Sequence, residues 1–285
     1  MLVTTLREGS VIAALTSCCV VVSGCASTVS TQREVQMGLQ ASQELEAQLP
    51  VLEDALVETY VSDLGQRIVA GLDTAPDVPW RFRVIDSEQV NAFAVPGGFV
   101  YVTRGLLEEA DTMSELAGPL AHEIAHVVHR HGVEQMTRMQ GTELAASLAY
   151  VLLGREPGEL EQAGLAVGAG AVFASYSRDD EREADASAIE YLERAGIDPA
   201  GLTRFFEPLA EGGHRPGIVE RWFATHPMTE ERIETTRAAI AAKPTGELQV
   251  DEPAFEQMQA RLRTLPPSPP EAETSSPESG EETPR

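Results

Sequence analysis

Two histidines four positions apart, in the run His122-Glu123-Ile124-Ala125-His126, constrain this chain more than any other feature it has. Their side chains can meet one metal ion only if the backbone between them is helical, because residues i and i+4 share a helix face about 5–6 Å apart. Leu116, Leu120, Ile124 and Val128 recur at helical spacing around them, an apolar stripe that buries the segment. A buried His-Glu-His cluster without a ligand is costly, since buried polar groups need partners. The alternative is a helix with the same three residues exposed to water. The stripe favours the metal, one zinc per chain, held by His122 and His126, with Glu123 placed to act as general base toward a water molecule that the metal makes more acidic.

Thr112 followed by Glu115 has the form of a capping box, so the motif's helix is expected to start there and to run to about His131. Pro119 lies inside it, lacks a donor for the carbonyl of Glu115, and predicts a kink one turn before His122. Cys18, Cys19 and Cys25 are the only cysteines. The remaining ligands must therefore be imidazole or carboxylate, which points to a catalytic rather than a thiolate-rich structural site. A metzincin layout would need glycine at position 129 and histidine at 132, whereas the chain has His129 and Gly132, which excludes it. Downstream, a helix expected over residues 179–195 puts Glu181 and Asp185 on one face, one carboxylate for the metal and one to support a ligand. Glu183 points elsewhere and reads as solvated. His129 and His131 read as hydrogen-bonded histidines, and His214 as exposed.

The rest of the chain frames that site. Arg7, an apolar run over residues 11–22 and the small residues Ser23 and Gly24 form an export signal, too short to span a bilayer. Val22-Ser23-Gly24-Cys25 resembles a lipobox, which makes residues 1–24 a signal peptide, Cys25 the acylated mature N-terminus and residues 25–32 a tether. Cys18 is a rival with a shorter apolar core. Leu56, Tyr60, Leu64 and Ile68 mark an amphipathic helix closed by Gly71, residues 81–85 alternate like a half-buried strand, and residues 91–103 form a hairpin turned at Pro96-Gly97-Gly98. Residues 142–174 suggest two buried helices, neither long enough to cross a membrane. Thr229 caps a last helix, and residues 243–285 form an acidic tail rich in proline, serine and glutamate that is expected to be disordered. The formal charge of −24 argues against nucleic acid as a partner, since phosphates would be repelled.

Four segments in order resemble the HtpX/BepA/LoiP-like zinc metallopeptidases, metallopeptidase family 48 of the gluzincin type. They are residues 91–98, the zinc motif with His131, Tyr176-Ser177-Arg178 leading to Glu181, Ala184 and Asp185, and Thr225-His226-Pro227 with Arg232. The resemblance covers residues 33–242 and implies a mainly helical α+β domain with a small sheet. It implies Glu181 as the third zinc ligand and Asp185 as the residue that orients a histidine ligand. Asn91, Ala92, Phe93 and Ala94 would form an edge strand onto which an extended substrate adds. His226 would act in catalysis, either closing over the zinc as a removable fourth ligand or stabilising the oxyanion, with a purely structural role as the alternative. The activity implied is an endopeptidase for misfolded or unassembled envelope proteins, held by its lipid on the periplasmic side of the outer membrane, with the oligomeric state left open. The alternative is a zinc-stabilised chaperone or binding lipoprotein with little turnover.

Overall fold

The computed structural model describes residues 29–138, 176–210, 220–227, 229–243 and 247–269. The export signal, Cys25, the helices expected over residues 142–174 and His214 lie outside the described residues. The apolar stripe of the zinc motif becomes the central helix, α4, Met113–Val128, reached through α1 (Thr31–Glu46), α2 (Ala55–Ala70), β1 (Arg81–Ile85), β2 (Ala92–Val95), β3 (Phe99–Thr103) and α3 (Arg104–Glu109). After it come α5 (His131–Arg138), α6 (Arg178–Arg194), α7 (Ala200–Ala210), α8 (Glu220–Thr225), α9 (Glu230–Ala241) and α10 (Pro253–Leu262). The architecture is the expected α+β, helices around one small sheet.

Thr112 starts α4 as expected, its hydroxyl accepting from the Glu115 amide at 3.4 Å. The Glu115 carboxylate takes the Asp111 amide at 3.0 Å rather than that of Thr112, so the box closes one residue upstream. The helix runs through Pro119 without a break. It ends three residues earlier than expected, capped by His129, because Arg130 adopts a left-handed φ of 61°. One long flank of α4 packs on α7 at very close range, where a Cβ on Gly201 would lie 2.0 Å from the Ser114 carbonyl oxygen. No residue but glycine fits there.

The sheet order is β1-β3-β2, with β1 parallel and β2 antiparallel to β3. Gly97 and Gly98, at φ 85° and 91°, make the reversal between β2 and β3. Strand β2 thus lies at an edge, beside α4.

Two boundaries need correction. The tether expected over residues 25–32 overlaps α1, which Ser30 caps by accepting from the Arg33 amide at 3.3 Å. The buried face of α1 is Glu34, Gly38, Ala41, Ser42 and Leu45, too polar to announce itself as an apolar stripe. The tail expected from residue 243 contains α10, whose Phe255, Met258 and Leu262 join the main core against α2 and α3. Three apolar residues at helical spacing were outweighed by the composition of the residues after them.

Candidate active site

Helix α4 delivers His122 and His126 from one face, with their Nε2 atoms 3.0 Å apart. Helix α6 crosses it and brings Glu181, whose Oε2 lies 3.4 Å from His122 Nε2 and whose Oε1 lies 3.6 Å from His126 Nε2. His226, at the end of α8, enters from the third side. Its Nδ1 is 3.0 Å from Glu181 Oε1 and 3.3 Å from His122 Nε2. These four residues are buried, and one ligating atom of each lies within 4.8 Å of all the others. Trp222 positions His226 by stacking on its ring at 4.6 Å.

The donor set of three imidazoles and one carboxylate is one that a metal of zinc's character takes. A second feature supports the fit: both carboxylate oxygens of Glu123 are buried beside the cluster, with Oε1 3.3 Å from His226 Nε2. Burial pushes the Glu123 carboxyl above its ordinary range, against the opposing pull of His226 and His122. Glu181 sits well below the ordinary range, because His226 and His122 outweigh the burial that would raise it. Burial drives His126 down, and the neighbouring His122 and His226 add to this. Burial would also depress His122, but Asp185 and Glu181 outweigh it and hold this ring at about 9 in the metal-free fold.

Around the four donors lies a ring of supporting contacts. Asp185 Oδ1 is 3.0 Å from His122 Nδ1, and the same carboxylate accepts from Arg232 Nε and Nη2 at 2.8 and 2.9 Å. The third nitrogen, Arg232 Nη1, donates to the Pro227 carbonyl at 2.9 Å and pairs with Glu181 at 2.5 Å. Arg232 therefore touches the partner of one histidine, a carboxylate of the cluster and the residue after His226. In the sequence Arg232 stands out only through the family resemblance. A signal was available: a cation in the first turn of a helix opposes the macrodipole and calls for another reason to be there. Trp222 carried no signal. Tyr176, part of the same resemblance, stacks on His126 at 3.9 Å.

Glu183 needs correction. Its side chain is 55% exposed, yet it meets His131 Nε2 at 3.2 Å and His129 Nδ1 at 3.4 Å, so it is not merely solvated. Of the edge strand, Asn91 accepts from the Thr103 amide at 2.9 Å and Phe93 pairs with Tyr101, so both turn their backbone groups toward β3. In an antiparallel pair the alternate residues face the other way. Ala92 and Ala94 are those residues, and the backbone of Ala94 lies beside Glu123.

Residues 55–240 match peptidase family M48. The chain belongs to that family. Among M48 relatives, the beta-barrel assembly-enhancing protease of Yersinia pestis is 32% identical over 217 residues, covering 74% of this chain and 44% of that protein. The mitochondrial metalloendopeptidase OMA1 of Schizosaccharomyces pombe is 32% identical over 174 residues, 61% of this chain and 50% of the relative. The metalloprotease LoiP of Escherichia coli is 33% identical over 165 residues, 58% and 64% respectively. The chain thus spans about half the length of the first of these relatives. Helices α1 and α10 lie outside the M48 match, although α10 completes the core.

Proposed function

We propose that this chain is a zinc-dependent endopeptidase acting on misfolded or unassembled proteins of the cell envelope. The observation that carries the reading is the buried convergence of His122, His126, Glu181 and His226 beside the buried carboxylate of Glu123, whose Oε1 lies 3.3 Å from His226 Nε2. Zinc, when bound, supplies the Lewis acidity that polarises a peptide carbonyl and makes water more acidic. His122, His126 and Glu181 hold it. Asp185 keeps His122 in the tautomer that leaves Nε2 free for the metal. Glu123 takes the proton from the attacking water and passes it to the leaving amine, and a carboxyl raised by burial is suited to both halves of that transfer. The edge of β2, where Ala94 is partly exposed, meets an extended substrate, which binds through its backbone and so with broad tolerance of sequence. Asn91 and Phe93 support that strand from within.

His226 acts as a latch. Its Nδ1 lies 3.0 Å from Glu181 Oε1 and its Nε2 3.3 Å from Glu123 Oε1, so it fills the space beside the general base and must withdraw for turnover. The loop holding it is tied through Pro227 to Arg232. Pro119 leaves α4 unbroken and its ligands converged, and the chaperone alternative is not favoured.

The envelope substrate is supported by the relatives among the beta-barrel assembly-enhancing proteases. Among the described residues no helix is long and apolar enough to cross a membrane. Anchoring is assigned to a lipid on Cys25, on the periplasmic side of the outer membrane. The test is digestion of an unfolded model protein by the full chain. Cleavage that stops with a chelator and returns with zinc is expected; no cleavage by zinc-loaded protein would overturn the reading.

A further inference from the structure

His129, His131 and Glu183 have no part in the function above, yet they stand in contact beside it. His126 Nδ1 lies 2.9 Å from His131 Nδ1, and His131 Nε2 lies 3.2 Å from Glu183 Oε2. With a metal on Nε2, which faces His122 and Glu181, the remaining ring proton of His126 is on Nδ1 and is donated to His131. His131 Nδ1 is then the acceptor, its own proton is on Nε2, and that proton goes to the Glu183 carboxylate.

The backbone is bent to make this contact. Five residues along an unbroken helix would place His131 roughly 140° around the axis from His126, out of reach. Helix α4 instead stops at Val128, and Arg130 takes a φ of 61° that returns His131 beneath His126. A non-glycine residue persists in that region only where its surroundings hold it. Here they do: Arg130 Nε pairs with the buried Glu34 at 2.8 Å, and its Nη2 donates to the Val29 carbonyl. Glu34 in turn accepts from the Gly97 amide at 3.2 Å, so α1 and the β2–β3 turn brace the bend.

We propose that His131 is a positioning residue for the metal ligand His126, fixing its ring orientation and tautomer through a chain that Glu183 anchors at the surface. The inference rests on the zinc reading above. The two α4 histidines are thus supported unequally. His122 leans on the buried Asp185–Arg232 pair, whereas His126 leans on an imidazole whose carboxylate partner is largely exposed. Tyr176 closes the face of the His126 ring, and His131 closes its edge.

The test is the zinc dissociation constant of the full chain, measured by competition with a chromogenic chelator, alongside the visible spectrum of the cobalt-substituted protein. His131→Leu should weaken zinc binding by about 10–100-fold, the usual effect of removing a partner of a metal ligand, and should alter the cobalt spectrum. His131→Asn, whose amide oxygen can still accept from His126 Nδ1, should recover wild-type affinity to within a few-fold. Glu183→Ala should weaken binding by roughly 3–10-fold, less than His131→Leu because water can replace an exposed carboxylate. Glu190→Ala, which removes an exposed carboxylate elsewhere on α6, is the charge control. Equal affinities for wild type and His131→Leu, or His131→Asn as weak as His131→Leu, would overturn the proposal. If His131→Leu does not fold, Glu183→Ala indistinguishable from Glu190→Ala would overturn it. Failure of the wild-type chain to bind zinc would instead sink the reading on which the proposal rests.

Discussion

Removing the side chain of Phe255 tests whether the C-terminal helix is part of the fold. Phe255 is 2% exposed, Met258 and Leu262 are fully buried, and the Phe255 ring lies 6.1 Å from that of Tyr60 on α2. Burying three such side chains is worth about 5–9 kcal/mol at roughly 1.5–3 kcal/mol each. That is comparable to the whole net stability of a domain, about 5–15 kcal/mol. Polar contacts add to it: Arg261 pairs with the buried Asp54 at 2.8 Å, and Asp251 accepts from the Met113 amide at 3.2 Å, at the start of the zinc helix. Phe255→Ala should cost about 3–5 kcal/mol, the usual range for a buried phenylalanine. For a domain of this size the thermal midpoint should fall by roughly 6–20 °C. Gln257→Ala, on the exposed face of the same helix, should stay within about 0.5 kcal/mol of wild type. Calorimetry on metal-loaded protein measures both. A midpoint for Phe255→Ala within 2 °C of wild type, on the order of one kcal/mol or less, would refute the reasoning.

Three further outcomes are expected. Arg232→Met leaves Asp185 and Glu181 buried without their shared cation and should destabilise the protein by about 3–5 kcal/mol in urea unfolding; a loss under about 1 kcal/mol would make the guanidinium incidental. His122 is held at about 9 in the metal-free fold, above its unfolded 6.5, so its contribution is complete below pH 6.5 and is lost as pH rises through 9. The thermal midpoint of metal-stripped protein should therefore fall across that window, by an amount equivalent to about 3 kcal/mol, and a midpoint that rises there would contradict the assignment. His226→Ala should raise basal proteolysis while zinc content stays near one per chain. A fall in turnover of about 10²–10³ would favour the oxyanion role over the latch.

What could be read from the sequence was what local spacing dictates. Two histidines at i and i+4 in an apolar stripe can be little other than one face of a buried helix, and Pro96-Gly97-Gly98 between two extended runs forces a reversal. Glu181 and Asp185 share a face for the same reason, and the structure turns both toward α4. The unread parts depend on tertiary partners. Helix α1 buries Glu34 and Ser42, which become tolerable only because Gly97, Arg130 and Tyr101 are there to bond them. Arg232 reads as a surface cation until α6 supplies two carboxylates. His131 reaches His126 only through a left-handed arginine, a conformation that no residue type at that position announces.

The central claim is that His122, His126 and Glu181 hold the metal while Glu123 performs the proton transfer, and Glu123→Gln separates the two. Replacing a buried carboxylate by an amide of the same shape removes the base and leaves the three ligands in place. The zinc content and the rate of digestion of an unfolded substrate should be measured on the same preparation. The account predicts one zinc per chain and no detectable hydrolysis. Near-normal turnover, or loss of the zinc itself, would contradict it.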